Sequence, residues 1–301
     1  MGSVLSLNNI TKFYGSIRAL HDVSFEVPPG TVFGILGPNG SGKTTLLGII
    51  MNVLRSNGGS YSWFGENIST EKQRQQIGTL LETPNFYHYL SGERNLEIAA
   101  AIKNHGKEDI PKVLELVNLT QRKKSKFSTY SLGMKQRLAI ASALLGDPSV
   151  LVLDEPTNGL DPAGIAETRD VVRNLAKNGK TIILASHLLD EVEKVCTHVA
   201  ILQKGVLLMA GNVNEVLVNE ELVEVGSSDL QQLQSIISSM PGVSQVKQNF
   251  GHLEIHFTKE TTDLEKINRF CFEKGVILNH LHLRKKSLET KFMELTNKNN
   301  D

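Results

Sequence analysis

The sequence has little of several features that would assign it to a specialised setting. Its 301 residues include two cysteines, Cys196 and Cys271, which lack metal-ligand spacing and predict a reducing, cytoplasmic environment. No run approaches the roughly 18 apolar residues of a membrane-spanning helix, and no charged and then apolar segment marks a secretory signal. Lysine plus arginine total 32 and aspartate plus glutamate also total 32, so the chain lacks the excess positive charge that nucleic acids or anionic membranes attract.

A glycine-rich loop is the most informative segment that is present. Residues 37–45 read GPNGSGKTT and match G-x-x-x-x-G-K-[ST], between an apolar, strand-like run at 32–36 and a helix-permissive run at 44–54. Glycines let backbone N–H groups curl around a phosphate, Lys43 can neutralise β- and γ-phosphate oxygens, and Thr44 can reach Mg²⁺. An accidental match in a glycine-rich turn is the alternative. The residues predicted to hold the phosphates are Gly37, Pro38, Asn39, Gly40, Ser41, Gly42, Lys43, Thr44 and Thr45.

Two acids end a second apolar run, LVLDE at 151–155. Because ligands bind beyond the carboxyl ends of strands in a parallel α/β sheet, we expect Asp154 beside the phosphate loop, where a carboxylate holds Mg²⁺. Glu155, one residue later, is placed to polarise a water aimed at the γ-phosphate. The alternative is a strand end with two solvated acids.

A third segment reads YSLGMKQR at 130–137 and precedes a helix rich in alanine and leucine. Ser131 can cap that helix, and the exposed N–H groups of the first turn can bind an anion. Considered by itself, the segment indicates a helix cap and nothing more.

The pattern along the chain predicts two domains. Strand and helix alternation over residues 3–215 favours an α/β domain with a parallel sheet, interrupted by a helical region at about 83–147. Residues 220–297 read strand–helix–strand–strand–helix–strand and then helix, which predicts a small α+β domain of the ferredoxin-like type.

In this order the motifs resemble those of ATP-binding cassette (ABC) ATPases, the motor subunits of ABC transporters. The resemblance covers roughly residues 3–215. Tyr14 is at the position of the family's adenine-stacking aromatic, with a turn tyrosine at the domain edge as the alternative. Residues 130–136 resemble the signature usually written LSGGQ, and 158–161 resemble the D-loop. His187 resembles the switch histidine, with a capping or core histidine as the alternative.

The resemblance implies a P-loop NTPase fold, an ATPase activity with ATP and Mg²⁺, and a head-to-tail homodimer. Ser131 and Gly133 of one copy would then meet the γ-phosphate of the ATP held by the other. Glu155, His187 and Lys43 would act in hydrolysis. The chain would work peripherally at the cytoplasmic face of the cell membrane, with a separate transmembrane permease and no nucleic acid.

Three residues depart from the family pattern. Leu132 replaces the usual second glycine of the signature, and Met134 replaces its glutamine. Glu82 stands where the family places the Q-loop glutamine; it can still offer an oxygen to Mg²⁺, which makes Thr44, Glu82 and Asp154 the predicted metal ligands. Glu82 together with the signature variant resembles the bacterial export subgroup of the bacitracin- and lantibiotic-resistance, multidrug and gliding-motility type.

Two further segments carry family expectations with open alternatives. The stretch 83–87 lies where the family contacts the permease, and an ordinary exposed loop is the alternative. The end of the chain, SLETKFMELT at 287–296, resembles the subgroup's accessory tail. The small domain could support dimerisation, regulate the motor or act as a stabilising cap.

Two other functional classes remain open at this point. The first is a non-transport ABC protein acting on ribosomes or DNA, although the chain has one cassette, zero net charge and no long coiled-coil insertion. The second is a nucleotide sensor with little turnover, which Glu82 and Leu132 would favour. The transported substrate is not encoded in this chain, because the permease holds the translocation path.

Overall fold

The structure is a computed structural model, and it describes residues 2–66, 71–81, 85–217, 221–249, 251–257, 263–285 and 288–297. The described chain divides into two compact units, 1–211 and 212–301. No helix within these ranges is long and apolar enough to cross a membrane.

A nine-stranded sheet with the order β4-β1-β2-β9-β8-β3-β7-β6-β5 organises the first unit. Its buried strands are near-continuous apolar runs, as is typical of parallel strands covered on both faces. Pairing is parallel from β8 through β3, β7 and β6 to β5, so the carboxyl ends of these strands meet at one edge. The strands are β1 Leu5–Tyr14, β2 Ile17–Val27, β3 Val32–Leu36, β4 Gly58–Trp63, β5 Ile77–Leu80, β6 Val150–Asp154, β7 Thr181–Ser186, β8 His198–Gln203 and β9 Val206–Asn212.

Antiparallel strands form the other end of the sheet. β1 and β2 make a hairpin with Tyr14 opposite Ile17, and β4 pairs with the outer edge of β1. Trp63 of β4 and Phe33 of β3 are fully buried in the hydrophobic core that packs against this end of the sheet.

Helices occupy much of the segment between β5 and β6. Ser91 caps α3 (Gly92–Lys103) by accepting from the Arg94 N–H, and Ser131 caps α5 (Leu132–Leu144) in the same way from the Met134 N–H. The remaining helices of the first unit are α1 Lys43–Ile50, α2 Glu71–Gln75, α4 Ile110–Leu116, α6 Pro162–Lys177 and α7 Leu189–Val195.

The second unit contains a four-stranded antiparallel sheet with the order β11-β12-β10-β13. The chain runs strand–helix–strand–strand–helix–strand, which is the ferredoxin-like plan expected from the sequence. Val223 and Val225 of the central strand pack with Leu233 and Ile267 of the two helices in its core. Its elements are α8 Val213–Leu217, β10 Glu221–Ser227, α9 Leu230–Ser238, β11 Val243–Asn249, β12 His252–Phe257, α10 Leu264–Glu273, β13 Leu278–Lys285 and α11 Leu288–Asn297.

The structure corrects the predicted end of the first helix. The run at 44–54 predicts a helix that continues to Leu54, but α1 ends at Ile50. Asn52 adopts a left-handed conformation with φ 57°, and the N–H groups of Val53 and Leu54 turn back to the Gly48 carbonyl. Asparagine tolerates this conformation, so it terminates the helix before the glycines at 58–59 are reached.

Candidate nucleotide site

Three neighbouring strands deliver the predicted chemistry to one edge of the sheet. β7 lies between β3 and β6, and all three run parallel. The loop at 37–42 follows β3, His187 follows β7, and Asp154 and Glu155 end or follow β6. The residues that the motifs single out are therefore adjacent in space although they are far apart in sequence.

The loop after β3 depends on glycines. Gly37, Gly40 and Gly42 have φ values of 155°, 79° and 105°, which side chains rarely adopt. A Cβ on Gly37 would run into the backbone carbonyl oxygen of Leu202, and one on Gly42 would lie 2.9 Å from the Ala19 carbonyl oxygen. The loop leads directly into α1, whose first N–H groups have no partner within the helix and favour negative charge.

Lys43 and Thr44 begin α1 and point toward the loop and the acids. Lys43 is 6% exposed, and its Nζ donates to the carbonyl oxygens of Gly37 at 2.8 Å and Pro38 at 3.3 Å. Thr44 Oγ1 donates to Asp154 Oδ2 at 2.9 Å. The hydroxyl and the carboxylate predicted to share a metal are thus in direct contact.

Glu155 connects the loop with the end of β7. Its Oε1 lies 3.4 Å from Lys43 Nζ, and its Oε2 lies 2.9 Å from Nδ1 of His187. Because a carboxylate only accepts, the imidazole must carry a proton on Nδ1, which leaves Nε2 for another partner. Glu155 has a φ of 47°, an uncommon conformation that its N–H bond to the Ala185 carbonyl helps to hold. The backbone here directs the carboxylate toward Lys43 and His187.

The donor set of this site suits a triphosphate and Mg²⁺. Ser41 Oγ is buried and has no hydrogen-bond partner within the described structure, and it lies against the cradle that a Gly37 Cβ would fill. The side chains of Thr44 and Asp154 offer hard oxygen ligands. Mg²⁺ is usually held by one or two such protein oxygens, with the other ligands coming from substrate phosphates and water.

Within the part of the chain that the structure describes, no hydrogen bond connects Ser131 or Gly133 with this network. Ser131 is exposed; its Oγ accepts from the Met134 N–H and its carbonyl accepts from the Lys135 N–H, so its bonds stay within α5. Among the described residues, a Cβ on Gly133 would meet only Gly164 Cα at 3.6 Å and Leu160 Cδ2 at 4.0 Å, which are ordinary contacts. The described residues therefore leave room for a Cβ at position 133.

Comparisons with known proteins identify the family. Residues 20–158 match the family model described as ABC transporter. An uncharacterized ABC transporter ATP-binding protein of Bacillus subtilis, YhcH, is 39% identical over 98% of this chain and 97% of its own length. The chain belongs to the family of ABC transporter ATP-binding proteins. The family, the ATPase activity and the fold predicted from the sequence are confirmed.

Other ABC relatives have more specific names. The bacitracin transport ATP-binding protein BcrA of Enterococcus faecalis is 34% identical over 98% of this chain and 97% of its own length. The lantibiotic transport ATP-binding protein SrtF of Streptococcus pyogenes is 34% identical over 73% of this chain and 99% of its own length. Among solved structures, cbiO1 from Clostridium perfringens, part of the ABC transporter complex cbiONQ, covers 80% of this chain and 97% of its own, with a TM-score of 0.66 and 27% identity.

Tyr14, which the family resemblance predicts to stack on adenine, presents an accessible ring in this ABC chain. Tyr14 ends β1 and is 46% exposed, and Lys12 Nζ lies 5.2 Å from the centre of its ring. An adenine base stacks on such an aromatic face. Glu82 of the Q-loop, together with Thr83 and Pro84, lies outside the described residues, so its metal role stays a prediction.

A groove follows the Q-loop in this ABC chain. It has a volume of about 420 Å³, and the side chains of Tyr87 and Ile102 at its rim are 50% and 81% exposed. The sequence indicates only its 83–87 side; the α3 side was recognisable from apolar Ile98 and Ile102, four residues apart on a predicted helix. The lining residues are Asn85, Phe86, Tyr87, Asn95, Ile98, Ala99, Ile102 and Ser142.

Proposed function

We propose that two copies of this chain pack head to tail around two ATP molecules and drive a separate permease that exports a peptide antibiotic. Binding of ATP closes the pair, and hydrolysis reopens it. The names of BcrA and SrtF support this substrate class. The permease would hold the chain at the inner face of the cell membrane.

The phosphate loop of one copy supplies the first half of each site. Its N–H groups and Lys43 bind the phosphates, and Tyr14 stacks on the adenine. Thr44 and Asp154 hold Mg²⁺, which supplies charge neutralisation at the phosphate oxygens; Glu82 is the further candidate ligand. The observation that carries hydrolysis is the position of Glu155, fixed between Lys43 at 3.4 Å and His187 at 2.9 Å.

Glu155 and His187 have complementary roles in this proposal. The Glu155 carboxylate accepts a hydrogen bond from the attacking water and aligns it with the γ-phosphate. His187 keeps that carboxylate oriented through Nδ1, and its Nε2 reaches the γ-phosphate. The strained backbone of Glu155 favours this orientation before substrate arrives, which reduces the reorganisation needed in the transition state.

The signature segment of the second copy supplies the other half. Ser131 is exposed at the start of α5, where the helix N-terminus favours a γ-phosphate. In this proposal the partner's nucleotide approaches Gly133, where the described residues leave room for it: a Cβ there would make only ordinary contacts with Gly164 and Leu160. The groove at Tyr87 and Ile102 offers a mixed surface, with apolar side chains beside Asn85 and Asn95, for a helix of the permease.

The substitution Glu155→Gln tests the proposal. Glutamine keeps oxygen and size but loses the charge that polarises water, so we expect phosphate release to fall by about 10²–10⁴-fold. ATP binding should persist, and MgATP should convert the variant to a stable dimer on a sizing column. A native chain with no phosphate release would instead indicate a nucleotide sensor. A variant that stays monomeric at saturating MgATP would refute the head-to-tail closure.

A further inference from the structure

The signature segment packs directly on the start of the helix that follows the D-loop. A Cβ on Gly159 would lie 3.3 Å from Leu132 Cδ2, and a Cβ on Gly133 would lie 3.6 Å from Gly164 Cα. Asp161 caps α6 by accepting from the Gly164 N–H at 2.9 Å. The first turns of α5 and α6 are therefore in contact, and small residues line that contact.

One guanidinium joins these helices further along. Arg137 lies on α5 with 9% of its side chain exposed. Its Nη1 donates to the carbonyl oxygens of Val117 at 2.9 Å and Asn118 at 3.4 Å, just beyond the end of α4. Its Nη2 lies 3.0 Å from Oε2 of Glu167 on α6. The planar fork of arginine can bind two partners in fixed directions, which a lysine ammonium cannot do.

α6 is held in place by packing and by an ion pair, so the position of α5, the helix that begins within the signature segment, can be fixed relative to it. Val171, Val172 and Leu175 bury its apolar face. Arg169, on the turn of Glu167, forms an ion pair at 3.1 Å with Glu191 of α7, the helix that begins two residues after His187. A shift of α5 relative to α6 would therefore move Ser131 relative to the elements that carry the catalytic groups.

We propose that Arg137 and Glu167 are positioning residues that set the place of the signature segment on α6, so that Ser131 and Gly133 are presented correctly to the partner's ATP. The inference rests on the proposed head-to-tail dimer. Neither residue touches the substrate. Glu167 is 53% exposed, and an exposed carboxylate contributes little to the free energy of folding. Its main contribution is therefore to orient Arg137.

The test uses Glu167→Gln in the Glu155→Gln background, where closed dimers accumulate. We expect the ATP concentration for half-maximal dimerisation to rise about five- to tenfold, within the usual range of coupling between sites. The dissociation constant of ATP for the monomer, measured at dilution, should not change, because the phosphate loop is intact. Glu167→Asp keeps the negative charge, so it should dimerise at an ATP concentration close to that of the parent.

The control is Glu93→Gln, also in the Glu155→Gln background. It removes an ion pair of similar length, 3.2 Å to Lys123, that does not involve α5 or α6. Its dimerisation should match that of the parent. In otherwise native chains, Glu167→Gln should lower the rate of ATP hydrolysis at subsaturating ATP. The thermal midpoint should stay within about 2 °C of the native value, because Glu167 is half-exposed and Arg137 keeps its hydrogen bonds to the Val117 and Asn118 carbonyls.

Three results would overturn the inference. Dimerisation of Glu167→Gln at the ATP concentration of the parent would show that the pair positions nothing. Closure at lower ATP would make it a restraint. A lower thermal midpoint with an unchanged ATP dependence would make it a structural brace. If the Glu155→Gln parent itself stays monomeric, the dimer proposal fails first and this role of the pair fails with it.

Discussion

Gly37→Ala and Gly40→Ala are a matched pair that tests the geometry of the phosphate loop. Both glycines have positive φ, 155° and 79°. They differ in surroundings. A Cβ on Gly40 would meet no atom of the described residues within 4 Å, whereas one on Gly37 would press into the Leu202 carbonyl and lie 2.9 Å from Ser41 Cβ.

The magnitudes follow from these contacts. Forcing alanine into the backbone conformation of Gly37 costs about 1–3 kcal/mol. Relieving the overlap with a β8 carbonyl adds about 1–3 kcal/mol, as overpacking does. Gly40→Ala carries only the left-handed penalty of about 1–2 kcal/mol, partly offset by a less flexible unfolded chain. We therefore expect Gly37→Ala to be less stable than Gly40→Ala by about 2 kcal/mol or more.

Calorimetric unfolding of both variants measures this difference. About 2 kcal/mol corresponds to a thermal midpoint roughly 4–8 °C lower for a domain of 150–250 residues. ATP affinity, measured by titration, should fall further in Gly37→Ala, because the loop must move to admit the methyl group. Equal midpoints for the two variants, within about 1 °C, would show that the loop is not constrained as described.

Two more predictions concern Thr44 and Lys103. Thr44→Val removes the hydroxyl that contacts Asp154 at 2.9 Å, so the Mg²⁺ concentration for half-maximal turnover should rise about tenfold or more. Thr44→Ser keeps the hydroxyl and should stay near the native value. The same Mg²⁺ dependence in the native protein and both variants would contradict the metal assignment. Burial lowers the pKa of Lys103 to about 8, although its Nζ donates to the carbonyl oxygens of Ser142, Ala143 and Leu145 near the end of α5. Between pH 8 and about 10.5 the unfolded chain binds more protons at this residue than the folded chain does. The free energy of unfolding of the native protein should therefore increase with pH relative to that of Lys103→Met. Urea unfolding at each pH measures both, and a difference between the two proteins that does not change with pH would count against this prediction.

The sequence predicts those parts of the site that local chemistry determines. Gly37, Lys43 and Thr44 belong to one contiguous motif, and Asp154 and Glu155 end an apolar run. The phosphate loop and the two acids can therefore both be recognised from the sequence alone. The position of β7 between β3 and β6 is not visible, because strand order depends on packing between distant segments. The 3.4 Å contact of Lys43 with Glu155 depends on the left-handed backbone of Glu155, which no propensity suggests.

Other features escape the sequence for related reasons. The pattern predicts neither β8 nor β9, although the buried run at 199–202 is apolar enough to indicate a strand. α1 ends at Ile50 because Asn52 turns the chain, while the sequence gives a stronger helix-ending signal at the glycine pair 58–59. Glu167 is an exposed acid in the middle of a helix, and only the coordinates show that it meets Arg137.

The freedom of Gly133 within its own chain has a genetic consequence. An alanine placed there should leave the subunit folded and able to bind ATP at its own loop, because its Cβ would make only ordinary contacts among the described residues. In the proposed dimer, the harm appears only in the neighbour, whose nucleotide loses its second contact. Such a subunit, expressed together with native copies, would inactivate the ATP site of each native copy with which it pairs. The mutation would therefore be dominant, whereas Gly37→Ala first weakens the stability and the ATP affinity of the subunit that carries it.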